Sequence, residues 1–174
     1  MNRIALSKRA QLGFFVPGVP AITCGYRKVG RVRGMDVWVD DENPDFWSVD
    51  VTTNIDGRHK RVCTMELSRD GYSYHVDIVK VDRVFQGHGI APIVYRYLMK
   101  RLGIMLQAGI EQSPGGRYIW NTLATYSDIV VVGRRGRRGQ LVQLEAGEEG
   151  ELEHEDYKIY DGPYAYYVFA QYCK

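Results

Sequence analysis

Cysteine is scarce in this sequence, and its spacing indicates neither a metal site nor a disulfide framework. The three cysteines lie far apart, and neither a CxxC pair nor a close Cys/His pair occurs. Structural zinc sites and small disulfide-rich folds need such clusters, so neither is expected and no metal is predicted. Free thiols are typical of reducing compartments, and the sequence therefore predicts a cytoplasmic protein.

Long apolar runs are also missing. No run approaches the roughly 18 residues that a membrane-spanning helix needs, so no association with a membrane is expected. The N-terminal stretch, MNRIALSKRAQLGFF, starts with basic residues, but its apolar part is short and interrupted, and we expect no secretory signal. The 174 residues are 45% apolar and 25% charged, which predicts a single globular domain over residues 1–174.

The net charge is only +2, yet the charged residues are segregated along the chain. Residues 1–34 carry seven basic side chains and no acidic one, whereas the stretch 145–161 is strongly acidic. Between them, four arginines lie within Arg134–Arg138. Such asymmetry occurs on surfaces that bind nucleic acid. The small net charge favours solvated loops instead, so a nucleic-acid partner is not expected.

The first part of the chain, up to Val81, predicts an antiparallel β-meander. Its β-branched runs are short, and Phe46–Thr53 alternates between apolar and polar residues. The steps Asn54–Gly57 and Arg69–Gly71 both contain Asp-Gly, a strong signal for a hairpin turn. We therefore expect consecutive strands joined by tight turns.

Beyond Val81 the spacing of apolar residues becomes helical. The pattern predicts a helix over Ile90–Leu102, with Pro92 in its first turn, where a missing N–H costs little. Ser113 and Pro114 are suited to the N-cap and first position of a second helix, which would extend to Tyr126. The side chains expected to be buried are Ile90, Val94, Tyr97 and Leu98 on the first helix, and Ile119, Leu123 and Tyr126 on the second. Strands are expected at Ile104–Ile110, Ile129–Val132, Leu141–Leu144 and Tyr164–Tyr172.

The segment Asp82–Ala91 joins a predicted strand to the first predicted helix and contains Gly87 and Gly89. Glycines allow backbone conformations and close approaches that other residues do not. The N–H groups that open a helix are unpaired within it and attract anions such as a pyrophosphate. A plain turn without ligand is the structural alternative. A P-loop is excluded because no Lys-Ser/Thr pair follows.

A dinucleotide-binding fingerprint is a further alternative for this segment. Gly87-x-Gly89 follows a strand, and Glu111 lies about 20 residues further on, where that fold places an acidic residue. However, Pro92 stands where the third glycine belongs, and no repeated βα units follow.

The sequence Gln86-x-x-Gly89-x-Ala91 resembles the Gln/Arg-x-x-Gly-x-Gly/Ala signature of the GCN5-related N-acetyltransferase (GNAT) superfamily. The order of predicted elements is also similar to that family. The resemblance implies an α/β (α+β) fold with a mixed, mainly antiparallel sheet of six or seven strands and helices on both faces. It implies transfer of an acetyl group from acetyl-CoA, or another acyl-CoA, to an amine of a small molecule or protein.

The resemblance also implies which residues contact the cofactor. Backbone groups of Val79, Val81 and Arg83 would line the pantetheine arm, and Gln86 occupies the first signature position. The N–H groups expected to hold the pyrophosphate are those of Gly87, His88, Gly89, Ile90 and Ala91.

Candidates for the catalytic acid and base follow from the same comparison. In the family, a tyrosine near the end of the second helix often protonates the departing thiolate, but counting seven residues from Asn121 places Asp128 at that position. Tyr126, two residues earlier, is therefore the candidate acid. The carboxylates that would take the proton of the amine are Glu66, Asp77 and Glu111. Asp77 is prominent because it interrupts an otherwise apolar strand.

The stretch Ser113–Trp120 departs from the commonest family pattern and resembles small GNAT-like proteins encoded by bacteriophages, which would place the protein in a host cytoplasm. This favours an alternative in which a weak or inactive GNAT-like scaffold binds and modulates a host protein. The 13 tyrosines and three tryptophans suit such a protein-binding surface. The amine acceptor is not indicated by any residue pattern. C-terminal aromatic strands of the family often pair between subunits, so a homodimer is among the expected arrangements.

Overall fold

The computed structural model describes residues 25–108, 113–135, 141–143 and 166–173. The expectations for residues 1–24 of the basic segment, for Glu111 and for the acidic stretch 145–161 concern residues outside these ranges.

The chain divides into two compact units. The first contains the chain up to Leu67 together with Ile78–Ile90, and the second contains Ser68–Asp77 and the chain from Ala91 onward. Two long strands belong partly to each unit. The expectation of a single domain stays a prediction.

Five strands account for most of the first unit, in the order β1-β2-β3-β4-β5. The first two pairs are antiparallel, with Val32 opposite Met35 and Trp38 opposite Asp50. The strands are β1 (Arg27–Val32), β2 (Met35–Asn43), β3 (Phe46–Ile55), β4 (Arg58–Asp70) and β5 (Ser73–Val81).

The hairpin turn expected at Asn54–Gly57 is confirmed between β3 and β4. Asp56 and Gly57 both have positive φ, 53° and 76°. Two consecutive left-handed residues make the two-residue turn whose twist matches that of the flanking strands, and Asp-Gly is a preferred pair for it. The β4–β5 turn is likewise confirmed, with Gly71 at φ 60°.

Valine-rich strands form the core of the first unit. Val37 and Val39 of β2 lie opposite Val51 and Val49 of β3, and all four side chains are fully buried. Alternate residues of a strand share one face, so this register places the four valines together on one side of the sheet. Burying a valine side chain stabilises the fold by about 1.5 kcal/mol or more, so this face contributes substantially.

The second unit combines the ends of β4 and β5 with four more strands, in the order β4-β5-β6-β9-β7-β8. The helix α1 (Ile90–Leu102) connects β5 to β6 (Met105–Gln107), and these two strands pair in parallel. A parallel pair needs such a crossover connection, which explains why a helix follows β5. The remaining elements are α2 (Pro114–Ala124), β7 (Ile129–Arg135), β8 (Leu141–Gln143) and β9 (Tyr166–Tyr172).

The bounds expected for α1 are confirmed, but its buried face is rotated from the expected one. Ile90 and Tyr97 are only partly buried, whereas Tyr95 and Met99 are almost fully buried. Tyr95 packs edge-on against Trp120 of α2, with ring centroids 5.8 Å apart. The contact with α2 therefore places Tyr95 in the core and leaves Tyr97 at its margin.

The start of α2 is confirmed, and its end is earlier than expected. The Ser113 side chain accepts a hydrogen bond from the N–H of Gly116 at 3.1 Å, which is the interaction of an N-cap. The helix ends at Ala124, so Tyr126 lies beyond it and is only half-buried, contrary to the expected buried face.

The fold class is therefore α+β with a mixed sheet. Within the described ranges there are nine strands and two α-helices, which is more strands than the six or seven expected. In those ranges no helix is long and apolar enough to cross a membrane.

Candidate functional site

The loop between β5 and α1 begins with a capped turn. Asp82 accepts a hydrogen bond from the N–H of Val84 through its side chain, at 3.1 Å, and from the N–H of Phe85 through its carbonyl, at 2.8 Å. Arg83–Phe85 forms a single turn of 3-10 helix. Asp82 is the N-cap of this turn and Gln86 is its C-cap.

Two glycines then lead into the helix. Gly87 and Gly89 have φ of 78° and 65°, a left-handed conformation that is costly for residues with a side chain. A Cβ added to either glycine would meet no atom within 4 Å. The glycines are therefore needed for the backbone path, and the space beside them is open to a ligand.

The N–H groups of this loop are available. Among the described residues, no hydrogen bond uses the N–H of Gly87, His88 or Gly89, and His88 is exposed. Ile90 and Ala91 open α1, where N–H groups lack partners within the helix and the helix dipole favours an anion. Successive free N–H groups around left-handed residues form a concave anion-binding surface.

Gln86, the first residue of the Gln86-x-x-Gly89-x-Ala91 pattern, forms a hydrogen bond to the last residue of β5. Gln86 donates from Nε2 to the carbonyl of Val81 at 2.9 Å. The N–H of Asp82 donates a hydrogen bond to the carbonyl of Val62 on β4. Consecutive residues of an extended chain direct their backbone groups to opposite edges of the strand. The backbone groups of Val79 and Val81 therefore face the edge of β5 away from β4.

That edge of β5 is paired along only part of its length. The parallel ladder with β6 joins three residue pairs and ends where His75 lies opposite Gln107. β5 continues to Val81, and no other strand of the described ranges pairs with this edge. Of the three residues expected to contact the pantetheine arm, Val79 and Val81 thus lie on an edge without a described strand partner. Arg83 lies beyond the strand in the 3-10 turn, where its carbonyl accepts a hydrogen bond from the N–H of Gln86.

Asp77, the most prominent of the three candidate bases, lies in the second unit and forms two hydrogen bonds. Its Oδ1 lies 2.8 Å from Nδ1 of His75 and accepts a hydrogen bond from Ser68 Oγ at 3.1 Å. The side chains of His75 and Asp77 are 17% and 31% exposed. Asp77 was predicted from the sequence and His75 was not, although the His-x-Asp spacing places both side chains on one face of a strand.

The other carboxylate candidates differ in their surroundings. Glu66 of β4 is almost completely buried, at 3% exposure, in the first unit. Glu111 lies outside the described residues.

Tyr126, the candidate acid, packs against an ion pair. The guanidinium of Arg96 on α1 lies 4.9 Å from the ring centroid of Tyr126 and donates to Oδ2 of Asp128 at 2.7 Å. The hydrogen bond from Arg96 lowers the pKa of the Asp128 carboxyl below its usual range. No hydrogen bond, ion pair or ring contact among the described residues joins this group to Asp77.

A further set of titratable groups is buried in the first unit. Asp50 of β3 is 2% exposed and forms an ion pair with Arg61 of β4 at 3.1 Å. Burial raises the pKa of Asp50, although Arg61 opposes the shift. Burial and the charge of Asp50 also raise the pKa of the Tyr26 hydroxyl and of the Cys63 thiol.

Within the described ranges, no cluster of three or more His, Cys, Asp or Glu side chains is arranged to hold a metal ion. No protein-family model matches the chain, and no curated protein is detectably similar to it in sequence. The interpretation of the site therefore depends on its own residues.

Proposed function

We propose that the protein is an N-acetyltransferase that transfers an acetyl group from acetyl-CoA to an amine of a small molecule or protein. The observation that carries the proposal is the loop Gln86–Ala91. Its two left-handed glycines have open space beside them, and its free N–H groups lead into the N-terminus of α1. A pyrophosphate with two negative charges suits such a loop.

The edge of β5 gives the proposal its second support. The backbone groups of Val79 and Val81 face away from β4 along an edge where β5 has no described strand partner. An extended arm with amide groups, such as pantetheine, can form hydrogen bonds to an open strand edge as a further strand does. The loop and this edge follow one another in the chain, as the resemblance to the GNAT superfamily implies.

The residues of the chain would have the following roles in the reaction. Bound acetyl-CoA would supply the activated acetyl group. A backbone N–H near Val81 would polarise the carbonyl oxygen of that group, and the loop N–H groups would hold the pyrophosphate. Tyr126, or water, would return a proton to the departing sulfur. A GNAT-like sheet with helices on both faces remains part of this proposal.

Calorimetric titration with acetyl-CoA and CoA tests the proposal. Micromolar binding is expected for the wild-type protein, and Gly89→Asp should abolish it because a carboxylate would occupy the space meant for the pyrophosphate. Gly57→Asp is the matched control, since Gly57 also has a positive φ and open space beside it but lies in the β3–β4 turn. The control should bind as the wild type does.

Two other outcomes would contradict the proposal. Absence of binding by the wild-type protein would mean that the loop serves only to connect β5 and α1. Equal loss of affinity in Gly89→Asp and Gly57→Asp would mean that the effect comes from backbone strain and not from the site.

A second candidate is a GNAT-like scaffold that binds another protein with little or no acetyl transfer. Asp128 stands where the family has its tyrosine, and the ring of Tyr126 lies under the Arg96 guanidinium. Tyr72 and Tyr118 are 99% and 60% exposed, and exposed tyrosines often anchor protein interfaces. Turnover of acetyl-CoA with any amine would count against this candidate.

A further inference from the structure

A side-chain contact joins the end of β5 to the loop that follows it. Val81 is the last residue of β5, and Gln86 is the C-cap of the 3-10 turn. The side chain of Gln86 returns to the strand and donates a hydrogen bond from Nε2 to the carbonyl of Val81 at 2.9 Å. Both residues belong to the stretch Ile78–Ile90 of the first unit. The contact therefore lies within one compact unit.

The peptide group between Val81 and Asp82 is held at both of its polar ends. The N–H of Asp82 donates to the carbonyl of Val62 on β4 at 2.9 Å, and the carbonyl of Val81 accepts from Gln86. A trans peptide is planar and directs its N–H and its carbonyl in opposite directions. β4 and the Gln86 side chain therefore hold this peptide from opposite edges of β5, and its plane cannot rotate without breaking a hydrogen bond.

The same geometry determines where the N–H of Val81 points. In an extended strand the N–H and the carbonyl of one residue face the same edge, so this N–H lies on the side of Gln86, away from β4. The pairing with β6 ends at His75, and no other strand of the described ranges pairs with this edge of β5. Val81 thus presents a donor at the edge, while its acceptor is engaged by Gln86.

We propose that Gln86 is a positioning residue that orients the N–H of Val81 toward the carbonyl oxygen of the acetyl group. This inference deepens the proposed function and depends on it, because that function assigns the polarisation of this oxygen to a backbone N–H near Val81. It also changes the role expected for the Gln86 side chain. Its donor is directed at the strand, so the N–H groups of the loop would contact the pyrophosphate without it.

A fixed donor matters because the charge on the acetyl oxygen changes during the reaction. The amine nitrogen forms a bond to the acetyl carbon, and one electron pair of the carbonyl double bond moves onto the oxygen. When the double bond forms again, the bond from carbon to sulfur breaks and its electron pair leaves with the thiolate. The nitrogen loses one proton to water and the thiolate gains one from water, so the products are an amide and free CoA. Hydrogen bonds weaken steeply with misalignment, so the N–H of Val81 must already point at the oxygen.

Three variants test the inference. Gln86→Met keeps the length of the side chain but has no N–H to donate, while the backbone N–H at this position can still bond to the carbonyl of Arg83. Gln86→Arg keeps a donor and is the other residue of the Gln/Arg signature, so it is the rescue variant. Gln171→Met is the matched control, because Gln171 is an exposed glutamine of β9 in the second unit.

Affinity and turnover are measured for each protein. Calorimetry gives the affinity for CoA, and release of CoA thiol gives kcat with spermidine, lysine and kanamycin as acceptor probes. We expect Gln86→Met to bind CoA within about threefold of wild type, because the N–H groups of the loop remain. Its kcat should fall by about 10-fold or more, which is less than the roughly 100-fold loss for a removed oxyanion donor, because the donor is displaced but still present. Gln86→Arg should recover most of the turnover, and Gln171→Met should behave as the wild type does.

The amide proton of Val81 gives a readout that does not depend on the acceptor. In NMR spectra of isotope-labelled protein, acetyl-CoA should move the Val81 amide resonance further than CoA does, because only acetyl-CoA offers the carbonyl oxygen. The difference should persist in Gln86→Arg and disappear in Gln86→Met. A merely structural role would instead alter resonances throughout the first unit with either ligand.

The remaining outcomes separate the two proposals. If Gln86→Met loses as much affinity for CoA as it loses turnover, or if it keeps full turnover, the positioning role is overturned. If the wild-type protein acetylates no probe, equal movement of the Val81 resonance by CoA and acetyl-CoA overturns the positioning role while the cofactor site stands. Absence of binding of both ligands by the wild-type protein overturns the proposed function, and the positioning role with it.

Discussion

The buried ion pair between Asp50 and Arg61 allows a quantitative prediction for the first unit. Asp50 is 2% exposed, and the side chain of Arg61 is 24% exposed, so removal of Asp50 leaves a guanidinium that is mostly shielded from water. Breaking a buried pair by removing one partner typically costs about 3–5 kcal/mol. Because Arg61 retains some access to water, we expect Asp50→Ala to lower the free energy of unfolding by about 3 kcal/mol, the lower end of that range.

The cost should fall when both charges are removed. An apolar pair of similar volume avoids the desolvation of both ions, and such replacements are often neutral or stabilising. We therefore expect the double variant Asp50→Leu/Arg61→Met to be more stable than Asp50→Ala. In thermal unfolding at pH 7, a loss of about 3 kcal/mol corresponds to roughly 6–12 °C for a chain of this length.

The pH dependence gives an independent check on the same residue. The pKa of Asp50 is raised in the folded state, so the folded chain holds a proton that the unfolded chain has already lost. Stability from this group is fully present below the unfolded pKa, near 3.9, and is lost as the pH rises through the raised folded pKa. Asp50→Asn cannot titrate, so its stability relative to wild type should increase across this window.

Two measurements would refute this reasoning. The first is an Asp50→Ala variant that unfolds within about 1 kcal/mol of the wild type, well below the cost of an unpaired buried charge. The second is a double variant Asp50→Leu/Arg61→Met whose loss of stability equals the sum of the losses measured for Asp50→Leu and Arg61→Met alone, because contacting charges must couple.

Two further predictions concern a helix cap and a buried thiol. Ser113→Ala should lower the free energy of unfolding by about 0.5–2 kcal/mol, because the N–H of Gly116 loses its acceptor; Ser113→Asp should retain most of the stability in urea unfolding, and equal losses would contradict the cap. Cys63 is fully buried and burial raises its thiol pKa, so a thiol reagent at pH 8 should leave it unmodified in the native protein and modify it on unfolding. Mass spectrometry measures the modification, with half-buried Cys173 as the internal comparison, and native labelling of Cys63 at the rate of Cys173 would contradict its burial.

Several elements could be predicted because their signals are local. The helix α1 has a helical apolar period, and it ends before Gly103, which adopts the left-handed conformation, φ 67°, common after helices. The Asp56-Gly57 turn follows from the two residues alone, since few pairs tolerate two positive φ angles. The conformation of Gly87 and Gly89 was likewise indicated by the glycines themselves.

Other features required the tertiary structure. Phe46–Thr53 alternates between apolar and polar residues, yet Val49–Thr52 of β3 are all buried, the carboxylate of Asp50 included. The ring of Tyr126 was expected on a buried helix face, but α2 ends before it and Arg96 of α1 lies over the ring. In both cases the decisive partner is distant in sequence, so no local pattern contains it.

The sequence by itself determined the elements, the tight turns and the glycine loop, because each depends on the backbone preferences of a few adjacent residues. The tertiary structure alone decided which polar side chains meet. The contact of Ser68 with Asp77 depends on how β4 lies beside β5, and that of Arg96 with Asp128 depends on how two distant segments approach. Hydrogen bonds form only within about 3 Å, and the packing of strands and helices alone brings these atoms so close.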